Sequence, residues 1–314
     1  MKTALVTGAT GLIGSALVPR LLERQVRVLC LVRSGRRALV PPAATAIEVS
    51  SFATEALRKS LSHISADVVF HLASYGVQAP DRDHEQLIEG NIRLTAHLLE
   101  VTAEWPLEKF LFAGSCSEYA PAPAGKPIPE FHPLQPISVY GAAKAAAELY
   151  GNALARYLKI PFITLRLFNV FGPGEGPHRL IPFIVNHLLR EKSADLTGGE
   201  QVRDFLHVDD VASALIAAGS SGLRAHEAYN VCSSRPATVR EVGELAADAL
   251  GKSRALLEWG KRPYRNDEPM WVVGDNAEFL RETGWRPSLD LPNGIRQMIS
   301  ALQQRKKREP QHAV

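Results

Sequence analysis

Short apolar runs alternate with segments of helical periodicity through the first half of the chain. Apolar runs typical of buried strands occupy residues 3–7, 26–32, 66–73, 109–115 and 161–168. Segments with helical periodicity lie between them, at residues 15–24, 84–104 and 138–157. Strands separated by helices of this length pair in parallel through right-handed crossovers, and continuous apolar runs are typical of strands buried on both faces. The pattern therefore predicts an α/β fold built on a doubly wound parallel sheet.

A glycine-rich turn joins the first predicted strand to the first predicted helix. Its sequence, TGATGLIG, spaces Gly8, Gly11 and Gly14 three residues apart. Such a turn lets the backbone approach a pyrophosphate, which the free N–H groups at the helix N-terminus then bind. We therefore expect a Rossmann-like dinucleotide site in which Leu12 and Ile13 also contact the cofactor.

The regular alternation ends after Asn169 in a Gly/Pro loop, FGPGEGPHR, and the elements that follow are short and unevenly spaced. We expect residues 1–170 to form the dinucleotide-binding domain, with residues 201–218 returning to it as one more strand–helix unit. Residues 171–200 and 219–314 are then expected to form a smaller α+β substrate-binding domain.

The amino-acid composition limits the classes of binding partner and the cellular compartment that fit this chain. The chain has 314 residues, and 36 Lys and Arg against 33 Asp and Glu give a formal net charge of +3. This balance argues against a nucleic-acid partner and against binding to an anionic membrane surface. Cys30, Cys116 and Cys232 are widely spaced with no CxxC pair, which predicts no disulfide scaffold and no metal site, and fits a reducing cytoplasm. The sequence also lacks an apolar run of about 18 residues, so we expect no membrane-spanning helix.

The second predicted strand ends where a dinucleotide fold usually carries the residue that reads the adenine ribose. An Asp or Glu there selects NAD through the 2′-hydroxyl, whereas this sequence has Val32 followed by Arg33, with Arg36 and Arg37 close behind and no carboxylate nearby. A guanidinium pairs bidentately with a phosphate, so NADP(H) is favoured. NAD(H) is the alternative if these arginines are only solvated loop residues.

The segment YGAAK places Tyr140 and Lys144 four residues apart on one face of a predicted helix. A nearby ammonium favours the phenolate, so we expect Lys144 to lower the pKa of Tyr140 and make it a usable acid or base. Ser115 follows a predicted strand, at the sheet edge where open α/β folds bind ligands, and could hydrogen-bond the same reacting oxygen. The structural alternative is that Ser115 and Ser117 only cap a turn.

Together these features resemble the extended short-chain dehydrogenase/reductases, and within them the NAD(P)-dependent epimerase/dehydratase family acting on nucleotide sugars. Motifs in that family's order and spacing cover nearly the whole chain: TGATGLIG, HLAS, GSCSEY, YGAAK, RLFNVFGPG and RDFLHVDDVA. The resemblance implies a catalytic triad of Ser115, Tyr140 and Lys144, with Lys144 also binding the nicotinamide ribose.

The resemblance also assigns residues along the cofactor cleft and at a subunit contact. It implies that His71, Leu72 and Ala73 line the cleft. Near residues 50–51, serine replaces an aspartate that often contacts the adenine in the family. The helices that carry the YGAAK motif and residues 91–100 commonly form the family's dimer interface, so a homodimer is expected.

On the substrate side, the resemblance implies that Asn169 contacts the sugar diphosphate and that Arg203 contacts the pyrophosphate of the nucleotide. Arg265 is a second phosphate candidate, because two planar guanidinium groups suit a diphosphate. We also expect Ser117, in the turn after Ser115, to contact the substrate. Surface ion pairing is the alternative for both arginines.

The family carries out several reactions with one triad, and local departures favour one of them here. The 4,6-dehydratases need an acid pair directly after the serine or threonine, where this chain has Cys116 and Ser117; Glu118 is shifted by one position and should point elsewhere. Because Arg33 favours NADPH drawn from solution, we expect an NADPH-dependent reductase of a nucleoside-diphospho-4-keto-6-deoxy sugar. A nucleotide-sugar 4-epimerase with tightly bound NAD is the main alternative. A 4,6-dehydratase, a non-sugar ketone reductase and a non-catalytic cofactor sensor are less favoured.

Overall fold

The computed structural model describes residues 1–77 and 83–308. Within them, seven strands form a parallel central sheet: β1 (Thr3–Thr7), β2 (Arg27–Arg33), β3 (Thr45–Val49), β4 (Val68–His71), β5 (Lys109–Ser115), β6 (Phe162–Leu167) and β11 (Ala228–Val231). Their order across the sheet is β11-β6-β5-β4-β1-β2-β3. The chain reverses direction across the sheet between β1 and β4, and such a switch point opens a crevice at the carboxyl ends of the strands.

Helices cover both faces of this sheet. In chain order they are α1 (Leu12–Glu23), α2 (Thr54–Leu61), α3 (His84–Leu87), α4 (Leu94–Thr102), α5 (Val139–Leu158), α6 (Leu180–Leu188), α7 (Val208–Ser220), α8 (Val239–Leu250), α9 (Ala277–Thr283) and α10 (Leu291–Arg308). On one face α1 and α7 pack with Ala4 and Val6 of β1, and on the other α2, α4 and α5 pack with Leu5. Burial on both faces explains why the strands are continuous apolar runs.

A second part of the chain is built around α6, α8 and α10, which share a core that includes Ile184, Val242 and Ile295. Beside it, β9 (Val202–Asp204) pairs with β12 (Pro236–Thr238) and β14 (Trp271–Val272). Two short parallel pairs complete the described strands: β7 (Val170–Phe171) with β10 (Leu206–His207), and β8 (Ala194–Asp195) with β13 (Leu257–Glu258).

The predicted fold class is confirmed, and individual elements differ in instructive ways. Helix α1 begins at Leu12 instead of residue 15, because Gly11 is its N-cap. The unassigned segment 45–61 holds β3 and α2. The helix predicted over 84–104 contains a π-helical turn, Ile88–Arg93, between α3 and α4.

The predicted domain division differs from the structure in two places. Strand β11 was expected in the substrate-binding part, but it pairs with β6 at the edge of the central sheet. The unit 201–218 is split: its helix, α7, packs on α1, while its strand, β9, joins the small sheet. Sequence order did not reveal this, because the chain crosses between the two parts more than once. No helix in the described part of the chain combines the length and apolar character needed to cross a membrane.

Candidate active site

A cleft of about 1420 Å³ opens at the carboxyl ends of the central strands and extends to the second part of the chain. Apart from His71, it brings together the residues predicted for the site: Gly8, Gly11, Leu12, Ile13, Gly14, Arg33, Leu72, Ala73, Ser115, Ser117, Tyr140, Lys144, Asn169, Arg203 and Arg265. Residues from all along the sequence therefore face one space. We also predict from the sequence that residues 75–85 and 172–180 shape the sugar site; residues 78–82 of the first segment lie outside the described residues.

The glycine turn forms one end of the cleft, in a geometry that fits a dinucleotide. Gly8 has φ +67°, and a Cβ there would lie 2.8 Å from the backbone nitrogen of Ala73. Position 8 therefore requires a residue without a side chain, because the turn after β1 passes very close to the backbone that follows β4. Helix α1 has no side chain capping its N-terminus and no acidic residue in its first turn. Its first N–H groups are free to bind an anion, and the helix dipole favours negative charge there.

Behind the glycine turn, His71 belongs to the core and does not line the cleft, which corrects that part of the expectation. Its side chain is 1% exposed; Nδ1 lies 2.8 Å from Thr7 Oγ1 and Nε2 lies 3.0 Å from Thr95 Oγ1. Burial, with a smaller effect of the Lys144 charge, lowers the pKa of His71 to about 3, so the ring is neutral. Thr7 Oγ1 also accepts the N–H of Ala73, which fixes the backbone that follows β4.

At the end of β2, Arg33 and Arg36 are exposed and line the cleft. The expectation that no carboxylate is nearby is wrong: Glu48 of β3, registered opposite Val32, lies beside this loop. Its Oε1 accepts the backbone N–H groups of Gly35 at 3.2 Å and Arg37 at 3.3 Å. The carboxylate therefore holds the loop backbone, and no ion pair to Arg33 is found in the described part of the chain.

Ser115 ends β5 and starts a tight turn on the floor of the cleft. Its Oγ accepts the N–H of Ser117 at 3.2 Å, while Glu118 Oε1 accepts the N–H of Ser115 at 2.6 Å. Glu118 is fully buried beneath the turn, so it points away from the cleft, as expected. Ser115 caps the turn by accepting the N–H of Ser117, and both serines line the cleft, so for Ser115 the structural and functional expectations are compatible.

Helix α5 delivers Tyr140 and Lys144 against this turn. Ser138 caps the helix by accepting the N–H of Gly141 at 3.0 Å. A Cβ at Gly141 would overlap the carbonyl oxygen of Ser117, so only glycine lets the helix start this close to the serine turn. Lys144 lies one turn further along and is 2% exposed, with Nζ 4.1 Å from the centroid of the Phe112 ring.

The electrostatics of the pair differ from the expectation. Burial raises the pKa of Tyr140 to about 12, although hydrogen bonding to Ser74 and Ser115 acts in the opposite direction. Burial also lowers the pKa of Lys144 to about 8, against the charges of Glu118 and Glu148. The predicted lowering of the tyrosine pKa by Lys144 is therefore wrong, because burial dominates the shift and the charge of Glu118 acts in the same direction. At neutral pH Tyr140 is a phenol that holds its proton.

A buried ionic network supports the floor of the site. Arg166 Nε donates to Glu148 Oε2 at 2.9 Å, and Arg166 Nη1 donates to the Tyr119 hydroxyl at 2.9 Å. Burial, and then the Glu148 charge, raise the pKa of Glu118 well above its usual range. One arginine thus faces two carboxyl groups directly beneath Lys144.

Ser74 also lines the cleft, although the sequence predicts no role for it. It follows Ala73 and donates from Oγ to Asn91 Oδ1 at 2.8 Å. Asn91 is 1% exposed and also donates to the carbonyl oxygens of Tyr75 and Leu87. The HLAS motif, residues 71–74, contains Ser74 and is the sequence feature that could have indicated a role for it.

At the other end of the cleft, both predicted phosphate-binding arginines form ion pairs with one carboxylate, Glu268. The sequence predicts no role for Glu268. Arg203 Nη2 lies 2.5 Å from Glu268 Oε1, and Arg265 Nη2 lies 2.8 Å from Glu268 Oε2. The Arg203 side chain is 11% exposed and that of Arg265 is 65% exposed. Asn169 lies nearby and donates from Nδ2 to the Asp204 carbonyl oxygen at 3.3 Å. Ion pairing, the alternative for both arginines, therefore occurs inside the cleft wall.

Comparison with known proteins identifies the class of site. Residues 4–232 match the NAD dependent epimerase/dehydratase family. A UDP-glucose 4-epimerase of Mycolicibacterium smegmatis is 28% identical over 95% of this chain and 97% of its own. A dTDP-6-deoxy-L-talose 4-dehydrogenase (NAD(P)(+)) of Kitasatospora kifunensis is 27% identical over 94% of both chains.

A solved structure agrees with these relatives. The Thermus thermophilus UDP-glucose 4-epimerase in complex with NAD has a TM-score of 0.86 and 29% identity, over 96% of this chain and 99% of that one. With the glycine turn, the serine turn and the Tyr140–Lys144 helix assembled in one cleft, the resemblance drawn from the sequence is confirmed. The chain belongs to the NAD dependent epimerase/dehydratase family and is an NAD(P)-dependent enzyme of the extended short-chain dehydrogenase/reductase type.

Proposed function

We propose that this protein is an NADPH-dependent reductase of a nucleoside-diphospho-4-keto-6-deoxy sugar. The observation that carries the choice of reductase is the end of β2, where Arg33 and Arg36 face the cleft and Val32 stands in the usual place of an acid. Guanidinium groups there suit a 2′-phosphate, and a cofactor consumed from solution suits a reductase.

The triad has the groups that reduction of a ketone needs. When bound, the nicotinamide supplies a hydride to C4 of the keto sugar. Tyr140, whose pKa of about 12 keeps it protonated, gives its proton to the carbonyl oxygen, so the ketone becomes a hydroxyl. Ser115 Oγ polarises the same oxygen, and Lys144 binds the nicotinamide ribose and stabilises the phenolate left behind.

The residues at the arginine side of the cleft bind the nucleotide sugar in this proposal. Arg203 and Arg265 bind the diphosphate with their planar donor groups, once Glu268 shares or releases them. Asn169 and Ser117 also line the cleft, and in this proposal they contact the sugar diphosphate.

A nucleotide-sugar 4-epimerase is the second candidate, because the UDP-glucose 4-epimerases described above cover nearly the whole chain. An epimerase returns the hydride to the same sugar and keeps its NAD. A 4,6-dehydratase is disfavoured, because Cys116 and Ser117 occupy the positions after Ser115 and Glu118 is buried beneath the turn.

Turnover of defined sugars separates the two candidates. We expect the purified protein to oxidise NADPH when given nucleoside-diphospho-4-keto-6-deoxyhexoses, and to leave UDP-glucose and UDP-galactose unchanged without added cofactor. Interconversion of those two sugars without NADPH consumption would establish the epimerase instead.

The cofactor preference has its own test in Arg33→Ala. Loss of a charge-assisted phosphate contact should raise KM for NADPH about tenfold and leave KM for NADH unchanged. Arg24→Ala, an exposed arginine outside the cleft, is the matched control. Equal KM values for NADPH and NADH in the wild type would contradict NADP selection.

We also propose a homodimer formed through α4 and α5. Helix α5 exposes three large apolar or aromatic side chains: Leu149 is 60% exposed, Tyr150 55% and Tyr157 82%. Burial of such a patch is favourable, at about 25 cal/mol for each Å² of apolar surface. We expect twice the chain mass by light scattering, and a shift towards the monomer in Leu149→Glu. A wild type that is monomeric at micromolar concentration would exclude the proposal.

A further inference from the structure

A buried carboxyl group with one unpartnered oxygen lies in the wall of the cleft, where nothing in the triad mechanism uses it. Glu175 is 9% exposed, and its Oε1 accepts from Arg179 Nε at 3.1 Å. Its Oε2 is buried and has no hydrogen-bond partner among the described residues. Buried polar atoms are rarely left unpaired, so an unpaired one in a cleft wall indicates a missing ligand contact.

The loop that carries Glu175 lies beside the glycine turn. The N–H of Glu175 donates to the carbonyl oxygen of Gly172, which closes a tight turn. A Cβ at the next glycine, Gly174, would lie 3.8 Å from Leu12 Cδ1, at the start of α1. Leu12, Glu175 and Arg179 all line the cleft. The loop that carries Glu175 therefore lies beside Leu12, the first residue of the helix whose N-terminus fits a dinucleotide pyrophosphate.

The charges around Glu175 decide its protonation when an anion binds. Arg179 is its ion-pair partner, but that side chain is 41% exposed and its charge is screened by solvent. The other packed elements contribute little. A Cβ at Gly172 would lie 3.3 Å from His207 Nε2, and burial lowers the pKa of His207. Asp209, near that histidine, forms an ion pair with Arg20 at 2.9 Å. Burial raises the pKa of Glu175 to about 7, and a neighbouring pyrophosphate raises it further, because like charges disfavour the ionised form.

We propose that Glu175 is a cofactor-binding residue that carries a proton when the dinucleotide is bound and donates it through Oε2 in a hydrogen bond to the ligand. This inference rests on dinucleotide binding and not on the choice between reductase and epimerase. Because only the acid form binds well, affinity is full below the pKa of free Glu175 and is lost as the pH rises through it.

The test is titration of the protein with NADH, whose phosphodiester groups do not ionise in the range used, with no sugar present. We expect the Kd of the wild type to rise about tenfold between about pH 6 and about pH 8.5. Glu175→Gln keeps a hydrogen-bond donor but has no titratable group, so it should bind NADH tightly at both pH values. Any remaining pH dependence of its Kd should come from Lys144. Glu175→Ala should bind weakly at both pH values. Glu191→Gln removes an exposed carboxylate paired with Lys252 outside the cleft and should behave as the wild type does.

The same pH dependence in Glu175→Gln and in the wild type would overturn the proposal. A dependence on Glu175 seen for UDP but not for NADH would also overturn it, since the contact would then be to the substrate. Should Glu175→Gln fail to fold, calorimetry on the wild type in buffers of different ionisation enthalpy replaces it. Proton uptake on NADH binding at about pH 7 is expected there, and binding without uptake contradicts the proposal. If the protein fails to reduce keto sugars, the proposed reductase function is wrong, but the inference about Glu175 is not affected.

Discussion

The two ends of the cleft differ in what they present to a ligand. At the glycine end, residues 8–14, the ligand-facing groups are backbone N–H groups fixed by β1 and α1. At the arginine end, Arg203 and Arg265 present flexible side chains that Glu268 already holds. A site made of backbone is preorganised by secondary structure, whereas a site made of ion pairs has to exchange partners when its ligand arrives. We therefore expect substitutions at the two ends to have different effects on stability and on ligand binding.

The largest expected effect lies between the two ends, at the triad. Tyr140→Phe should lower kcat about a thousandfold, because it removes the proton donor. It should leave the Kd for NADH within about twofold, because both ends of the cleft stay intact. Tyr157→Phe lies on the face of α5 proposed for the dimer, keeps the aromatic ring and removes only a hydroxyl outside the cleft, so it should leave kcat unchanged. Retention of more than a tenth of the wild-type kcat in Tyr140→Phe would exclude Tyr140 as the acid.

At the glycine end, Gly8→Ala should be strongly damaging and Gly35→Ala mild. Both glycines have positive φ, +67° and +80°, so both substitutions strain the backbone by about 1–2 kcal/mol. Only the Cβ at position 8 meets other atoms, the backbone of residues 72–73; Gly35 has open space around it. We expect urea unfolding to show a clearly larger loss of stability for Gly8→Ala, and NADH titration to show at least about tenfold weaker binding. Equal losses in the two variants would mean that close approach at Gly8 is unimportant.

The arginine end should show a graded response. Arg203→Ala should lower kcat/KM for the nucleotide sugar about thirtyfold, since its side chain is mostly buried, with 11% exposed. Arg265→Ala should lower it less than about threefold, because that side chain is 65% exposed and its contacts are screened. Neither change should alter NADH binding. An unchanged kcat/KM in Arg203→Ala would remove the nucleotide-sugar proposal.

The same contrast explains how much the sequence could predict. The glycine turn, five of the seven central strands and the Tyr140–Lys144 spacing depend on local patterns, and the structure places them together. The contact of Glu268 with Arg203 and those of Glu48 with the loop after β2 could not be anticipated, because they depend on how the chain folds back on itself. The contact of Glu268 with Arg265, three residues away, is local. The pKa of Tyr140 was misjudged because spacing shows a neighbouring ammonium but does not show how much water the helix excludes.

The central claim is that hydride from NADPH ends in the product sugar, and isotope transfer tests it most directly. The protein is incubated with NADPH deuterated at the transferable position and a nucleoside-diphospho-4-keto-6-deoxyhexose, and the product is analysed by mass spectrometry and NMR. We predict one deuterium at C4 for each NADP⁺ formed. Recovery of the unreduced keto sugar with NADPH unconsumed, or a reduced sugar that carries no deuterium at C4, would contradict the account.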